Sequence, residues 1–376
     1  MFLERSHQTY LALLATLRSG YIYVPLERSL PKNLINKIIK ECDISWVISD
    51  AEGIAALEQA EAEQPPFIDI SEVLQGEELL PEINTPRAAA NIAMIFFTSG
   101  STGSPKGVKH TQLHLLNRLH WIWNRFAIND QDVVCQRAPL NYLPSMWELF
   151  AGLLKGNRTL ILSDRIVKDP KSFTEALVKY GVTWINIVPS LLNMLFESKS
   201  EAIEKLQQIR LWITCGEKLS LSSLNKHREK FPKSTLLNDY GATEVNGVLY
   251  FTSTAESPQR FTRLPAFQSI ANVAVRLLDK QGEKCKPYYP GQIHIGGSSI
   301  AKGYLDQKIN QQKFVVLSTP EGKRQKYFAM GDWAYQDATG GLHLIGRFDN
   351  IVKIRGNRID LNGLGEKIKR LPSVAD

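Results

Sequence analysis

FFTSGSTGSPKGVKH, from Phe96 to His110, joins a run of apolar residues to a segment of small hydroxyl residues and glycines. The residues that lead into it, ANIAMIFFTSG, have the apolar character of a buried β-strand, and HLLNRLHWIWNRF after it has the spacing of a helix. Glycine allows backbone N–H groups to turn towards an anion, and hydroxyl and ammonium groups add further donors. The segment therefore predicts a phosphate-binding loop between a strand and a helix.

The candidate phosphate ligands of this loop are hydroxyls, glycine N–H groups and one cation. They are Thr98, Ser99, Gly100, Ser101, Thr102, Gly103 and Lys106. A P-loop of the form GxxxxGK[ST] is excluded, because Lys106 follows Pro105 and precedes Gly107. The dinucleotide fingerprint GxGxxG is absent from the sequence as well.

Strand-like and helical segments alternate along most of the chain, which is typical of an α/β fold with parallel sheets covered by helices. From about Arg263 the pattern changes to short strands separated by Gly and Asp turns, which favours antiparallel β-structure. We therefore expect three parts: an α/β core over residues 1–262, a β-rich subdomain over 263–346, and a hinge with the start of another domain over 347–376.

Composition and charge limit the class of protein. The 376 residues include 45 Lys and Arg against 38 Asp and Glu, a net charge of +7, but no basic stripe interleaved with aromatic residues. Nucleic acid is therefore not expected as a partner. Neither a signal peptide nor a bilayer-spanning segment is evident, so we expect a cytoplasmic protein without a membrane partner.

The loop TSGSTGSPKGV resembles the signature loop of the adenylate-forming enzymes, which include the adenylation domains of nonribosomal peptide synthetases, acyl-CoA synthetases and luciferases. Further motifs of that family follow in order: NDYGATEV from Asn238, the pair Gly331 and Asp332, and GRFDNIVKIRGNRIDL from Gly346. LNRLHWIWNRF, YGATEVNGVLYF and IRGNRIDLNGLGEKIKRLPSV resemble the Ebony-like β-alanyl-amine synthases more closely. The resemblance covers nearly the whole chain and implies ATP-dependent activation of a small carboxylic or amino acid as its acyl-adenylate.

The resemblance also implies roles for individual residues. The loop residues from Thr98 to Lys106 would contact the phosphates of ATP, and Lys106, Thr243 and Glu244 would be catalytic, with Thr243 at the α-phosphate and Glu244 holding Mg²⁺. Tyr240 would pack on adenine, Asp332 would bind the ribose hydroxyls, and Asp349 would be the hinge of a domain rotation. The remaining nucleotide-binding residues would be Gly216, Glu217, Asn238, Gly241 and Arg347.

The acid pocket is implied by the same resemblance at Leu143, Pro144, Trp147, Ile187, Ile213, Cys215, Asp239, Gly247 and Val248. Members that activate amino acids usually carry an Asp for the substrate ammonium where this chain has Leu143 and Pro144. Two alternatives follow. Either Asp239 binds the ammonium from the opposite wall, or Asp239 faces solvent and the pocket takes a plain acyl group.

The family resemblance further implies a carrier-protein partner whose phosphopantetheine thiol accepts the acyl group. The chain resembles the core of an adenylation domain shortened at both ends, so we expect it to bind ATP but to adenylate slowly. Two other functions remain open: an acyl-CoA synthetase for a non-amino acid, and a nucleotide-binding module with little catalysis.

Overall fold

A computed structural model describes residues 1–59, 64–75, 88–98, 105–197, 201–319, 321–347, 351–354, 357–361 and 368. Its helices are α1 (His7–Arg18), α2 (Lys32–Glu41), α3 (Ala51–Glu58), α4 (Ile70–Gln75), α5 (Gln112–Arg125), α6 (Pro144–Leu153), α7 (Asp164–Lys168), α8 (Pro170–Lys179), α9 (Pro189–Glu197), α10 (Leu221–Lys230) and α11 (Gln307–Lys313), with a 3₁₀ helix at Glu201–Gln208.

Within the residues that the structure describes, the strands fall into five sheets. They are β1 (Val47–Ser49), β2 (Phe67–Asp69), β3 (Ile92–Thr98), β4 (Lys106–Thr111), β5 (Val133–Gln136), β6 (Arg158–Ile161), β7 (Trp184–Ile187), β8 (Leu211–Thr214), β9 (Thr235–Ala242), β10 (Asn246–Ser253), β11 (Gln268–Ser269), β12 (Val273–Leu278), β13 (Gly291–Gly297), β14 (Gly303–Tyr304), β15 (Phe314–Ser318), β16 (Arg324–Gln336), β17 (Leu342–Arg347), β18 (Ile351–Ile354) and β19 (Asn357–Asp360).

The largest sheet has the order β11-β10-β9-β8-β7-β5-β6, and its strands from β6 to β9 run parallel. Strands β5, β7 and β8 are buried at every position, as expected for parallel strands that are covered on both faces. The hairpin of β9 and β10 adds antiparallel strands at one side. Helix α6 packs on β5 and β6, and α5 packs on α6.

Strands from about the last third of the chain form an antiparallel sheet with the order β12-β13-β16-β15, to which β17 pairs through β16. A smaller sheet, β14-β4-β3, joins the strands that flank the Ser/Gly/Lys loop. In the β16–β17 pair, Asp332 lies directly opposite Arg347. Strand pairing alone therefore brings these two charges together.

Helix starts follow from local sequence. The Thr111 hydroxyl accepts a hydrogen bond from His114 N at the start of α5, and Ser220 does the same for Ser223 N at α10. Helix α6 begins at Pro144, a residue suited to the first turn because it lacks an N–H group.

The predicted α/β fold class, with parallel strands and helices followed by β-rich structure, is confirmed. The segment YIYVPL, whose aromatic and β-branched residues favour a short strand, forms none, and Tyr23 makes a single parallel bridge to Met94. The four cysteines are free thiols. Within the described ranges, no helix is long and apolar enough to cross a membrane.

Candidate functional site

The site lies where the parallel strands of the large sheet end. Residues that directly follow β5, β7, β8 and β9 all line one cavity: Arg137 and Ala138, Val188, Cys215 and Gly216, and Thr243. The carboxyl edge of a parallel sheet is the usual place for a ligand site in an α/β fold, because the loops there diverge and leave a crevice. The parallel sheet therefore brings residues from four separate loops to one cavity.

The larger cavity has a volume of about 530 Å³. Five residues of the predicted acid pocket line it: Leu143, Pro144, Cys215, Asp239 and Gly247. Trp147, Ile187, Ile213 and Val248 are buried in the two hydrophobic cores behind it and do not line it. These four residues support the cavity wall from behind.

A smaller cavity of about 340 Å³ is lined by predicted nucleotide residues. They are Gly216, Glu217, Asn238, Tyr240, Gly241, Asp332 and Arg347. Gly216, Asp239, Gly241, Asp332 and Arg347 line both cavities. The two cavities therefore adjoin, and together they are large enough for a nucleotide and a small acid.

The nucleotide side of the site contains an ion pair. Arg347 Nη1 lies 2.7 Å from Asp332 Oδ2, and it also lies 3.3 Å from the carbonyl oxygen of Met330. Both side chains of the pair are mostly buried but reach the cavity. The arginine fixes the orientation of the carboxylate, which can then accept hydrogen bonds from a ligand hydroxyl.

Two further residues of the smaller cavity are held in place by neighbours. Glu217 accepts hydrogen bonds from the backbone N–H of Ser190 at 2.8 Å and from its hydroxyl at 3.0 Å. The ring of Tyr240 lies edge-on to Phe267, with 6.2 Å between centroids. An aromatic ring at a cavity wall provides a flat apolar surface on which a base can stack.

The predicted phosphate loop joins β3 to β4. Thr98 pairs with Lys106 at the open end of this hairpin, and Thr98 and Pro105 both line the larger cavity. Both ends of the loop therefore lie at the rim of the cavity. The central loop residues Ser99, Gly100, Ser101, Thr102 and Gly103 lie outside the described residues, as does the predicted hinge residue Asp349.

Glu244, the predicted Mg²⁺ ligand, is only 2% exposed and does not itself line either cavity, whereas the preceding residue Thr243 lines the larger one. Its Oε1 accepts a hydrogen bond of 2.5 Å from the Tyr304 hydroxyl. The described residues contain no group of three or more potential metal ligands. A single carboxylate still fits Mg²⁺, because this ion keeps several waters and takes other oxygens from nucleotide phosphates.

Asp239 is buried and paired. Its Oδ1 lies 3.0 Å from Nη1 of Arg118, and the two side chains are 5% and 0% exposed. The Arg118 guanidinium lies over the rings of Trp121 and Trp147, 4.6 and 5.1 Å from their centroids. Neither sequence-based alternative for Asp239 included this arginine. The signal was present, because Arg118 falls on the apolar face of α5 between Leu115 and Leu119.

Sequence reasoning also missed a hydrogen-bond network beneath the cavity. Glu148 Oε2 accepts hydrogen bonds from the backbone N–H groups of Arg137 and Ala138 at 2.9 and 2.8 Å, and Oε1 accepts one from Asn186 Nδ2 at 2.7 Å. Burial raises the pKa of this carboxyl. The signal was a single acid inside the apolar helix SMWELF.

Asn186 extends this network to the cavity surface, where its Oδ1 lies 3.2 Å from Cys215 Sγ. Burial raises the pKa of the Cys215 thiol to about 12, and burial also raises the pKa of the Tyr142 hydroxyl beside it. Both groups are therefore neutral at physiological pH. Cys215 is a hydrogen-bonding wall residue of the cavity and not a thiolate nucleophile.

Comparison with known proteins gives consistent results. Residues 1–305 match the family described as AMP-binding enzyme. The chain is 30% identical over 378 residues to the β-alanyl-bioamine nonribosomal peptide synthetase ebony of Drosophila melanogaster. This alignment covers 96% of this chain and 42% of that protein. The chain is also 29% identical over 362 residues to tyrocidine synthase 3 of Brevibacillus parabrevis, in an alignment that covers 95% of this chain and 5% of that protein.

Among solved structures, the chain superposes on PA1221, a nonribosomal peptide synthetase protein containing adenylation and PCP domains, with a TM-score of 0.84 and 25% identity. The match covers all of this chain and 74% of that one. The predicted resemblance to nonribosomal-peptide-synthetase-type adenylation domains, and to ebony, is confirmed. The chain spans less than half the length of the two curated relatives described above.

Proposed function

This chain belongs to the AMP-binding enzyme family, and we propose that it joins a small carboxylic acid to the AMP moiety of ATP. The observation that carries the proposal is that the two cavities adjoin. The smaller one has an aromatic wall and the Asp332 carboxylate, which suit an adenosine, and the larger one combines apolar side chains such as Leu143 and Pro144 with several polar ones, which suits a small acid.

The reaction would take place where the two cavities meet. A carboxylate oxygen of the acid bonds to the α-phosphorus, the bond from that phosphorus to the bridging oxygen breaks, and pyrophosphate leaves with the bonding electron pair. Negative charge increases on the non-bridging oxygens, so fixed donors stabilise the transition state. We assign this role to Thr243, at the cavity wall, and to Lys106 at the base of the phosphate loop.

Other residues of the site would bind and orient the nucleotide. Asp332 would accept hydrogen bonds from the ribose hydroxyls while Arg347 holds its carboxylate, and Tyr240 would stack on the base beside Gly216 and Glu217. Glu244 would provide the protein oxygen for Mg²⁺, with Tyr304 orienting it. When bound, the ion would neutralise charge on the phosphates.

The acyl group is proposed to pass to the phosphopantetheine thiol of a carrier protein, as the similarity to synthetases with such domains suggests. A second candidate acceptor is coenzyme A, favoured by Leu143, which stands where amino-acid-activating members usually carry an Asp. The two are separated by incubating the chain with ATP and acid plus either acceptor. Acyl-carrier or acyl-CoA is then detected by mass spectrometry.

The proposed activity is tested by ATP–pyrophosphate exchange with a panel of small acids, with and without an amino group. At least one acid should raise exchange above the rate without acid, because formation of the acyl-adenylate is reversible. Absence of acid-dependent exchange across the panel, in a chain that binds ATP, would favour a nucleotide-binding module with little catalysis.

A further inference from the structure

Among the predicted acid-pocket residues, Asp239 has the only carboxylate, and that carboxylate forms an ion pair with Arg118. The two charges come from different elements, since Arg118 is on α5 and Asp239 is on β9. Gly247 on the paired strand leaves room for the carboxylate, because a Cβ atom there would lie 2.1 Å from Asp239 Oδ2. The lack of a side chain at Gly247 therefore leaves the space that the paired carboxylate occupies.

Arg118 cannot easily move away from Asp239. Its guanidinium lies over the rings of Trp121 and Trp147, and its side chain is fully buried. Stacking on aromatic faces stabilises a desolvated cation, and separating a buried ion pair leaves an uncompensated charge in both partners. The Arg118 side chain therefore stays paired with Asp239 and does not exchange between alternative conformations.

We propose that the Arg118–Asp239 ion pair leaves the Asp239 side of the acid pocket without net charge, so that the site takes a small carboxylic acid without an ammonium group beside its carboxyl. This inference rests on the proposed function. An ammonium that enters this pocket would lose its hydration. The charge of Asp239 could compensate that loss, but it is already balanced by Arg118. Leu143, which also lines the cavity, adds an apolar side chain that gives an ammonium no counter-charge.

Glu27 is another acid that lines the larger cavity. Its carboxylate accepts a hydrogen bond of 2.6 Å from Asn141 Nδ2, and burial raises its pKa. It lies with Leu30, Leu34 and Phe97 along the same cavity. Glu27 is the alternative ammonium partner, and the experiment therefore includes a Glu27→Gln variant.

The test compares two non-hydrolysable acyl-adenylate analogues that differ by one ammonium group, propionyl-sulfamoyl adenosine and alanyl-sulfamoyl adenosine. Binding to the chain is measured by calorimetry at neutral pH. We expect the propionyl analogue to bind at least tenfold more tightly. Equal binding of the two analogues, or tighter binding of the alanyl analogue, overturns the inference. If the alanyl analogue binds more tightly and the Glu27→Gln variant loses that preference, Glu27 is the ammonium partner.

Variants separate the role of Arg118 from general packing. Arg118→Met keeps a long side chain between the two tryptophans but leaves Asp239 without its cation, so the preference for the propionyl analogue should fall at least tenfold. Arg125→Met, at an exposed position of the same helix, should leave the preference unchanged. An unchanged preference in folded Arg118→Met overturns the inference.

If Arg118→Met does not fold, Asp239→Asn provides the complementary test. This variant leaves the charge of Arg118 without its carboxylate, so a succinyl-sulfamoyl adenosine, which carries a second carboxylate, should bind at least tenfold more tightly than it binds to the original chain. No gain contradicts the inference. If none of the analogues binds to the original chain, the proposed function fails, and this inference fails with it.

Discussion

At the scale of single residues, the site depends on carboxylates whose orientation is fixed by a neighbour. Asp332 is held by Arg347 across a strand pair, and Glu148 is held by two backbone N–H groups and an amide. The first carboxylate reaches a cavity and is available to a ligand, whereas the second lies beneath the cavity floor. The two should therefore respond to substitution in different ways.

Asp332→Asn should weaken ATP binding by about tenfold or more. A neutral amide accepts weaker hydrogen bonds from ribose hydroxyls, and bonds to a charged acceptor contribute about 1.5–3 kcal/mol each. Calorimetric titration with ATP measures the dissociation constant. Asp130→Asn, at an exposed position, is the matched control and should bind ATP like the original chain. Equal affinity in the two variants would contradict the assignment of Asp332 to the nucleotide.

Glu148→Ala should lower the free energy of unfolding by about 3 kcal/mol or more. The substitution leaves the N–H groups of Arg137, Ala138 and the Asn186 amide without their acceptor, and each buried unsatisfied donor costs about 1–3 kcal/mol. Urea unfolding followed by fluorescence measures the change. Glu175→Ala on the exposed face of α8 should change stability little, and a similar small effect at Glu148 would refute the account of the network.

At the scale of elements, β4 and α5 meet through two stacked, fully buried histidines. His110 and His114 have their ring centroids 4.7 Å apart and their Nδ1 atoms 2.6 Å apart. Burial lowers the pKa of His114 to about 4, and burial together with His114 lowers the pKa of His110 well below its usual value. Both rings are neutral in the folded protein near neutral pH, whereas in the unfolded chain they titrate near pH 6.5.

Stability should therefore fall as the pH falls below about 6.5, because the unfolded chain takes up protons that the folded protein does not. His114 alone should contribute about 1.4 kcal/mol per pH unit down to about pH 4. Urea unfolding between pH 7.5 and 4.5 measures this slope. His114→Asn should reduce it, and His120→Asn on the exposed face of α5 should not. An unaltered slope in His114→Asn would show that the ring titrates normally when folded.

The β9–β10 hairpin shows how much of the site could be predicted from the sequence. The motif NDYGATEV predicted Asn238, Tyr240 and Gly241 at a nucleotide site, and they line the smaller cavity. The same motif could not reveal that Asp239 pairs with Arg118, which lies more than a hundred residues earlier in the chain. A motif predicts the roles of residues that are neighbours in the sequence, whereas the partner of a buried charge depends on packing between distant elements.

At the scale of the whole molecule, the α/β class could be predicted because strand-like and helical segments alternate along the chain. Local sequence determines that alternation. YIYVPL shows where that reasoning stops: its residues have strand propensity, but only Tyr23 finds a partner strand at Met94. Sheet membership depends on a neighbour with free backbone groups, and tertiary context overrides propensity. The adjoining of the two cavities likewise depends on residues that are distant in the chain, since β9 and the β16–β17 pair contribute to both.

The central claim is that acid and nucleotide occupy one continuous site. The most direct measurement is the calorimetric affinity of the chain for an acyl-sulfamoyl adenosine, carrying the acid that gives the fastest pyrophosphate exchange, relative to sulfamoyl adenosine without the acyl group. Burying even two carbon atoms of the acyl chain contributes about 1.6 kcal/mol, so the acyl analogue should bind about tenfold more tightly or better. Equal affinities would mean that the larger cavity does not receive the acid, and the account of the site would be wrong.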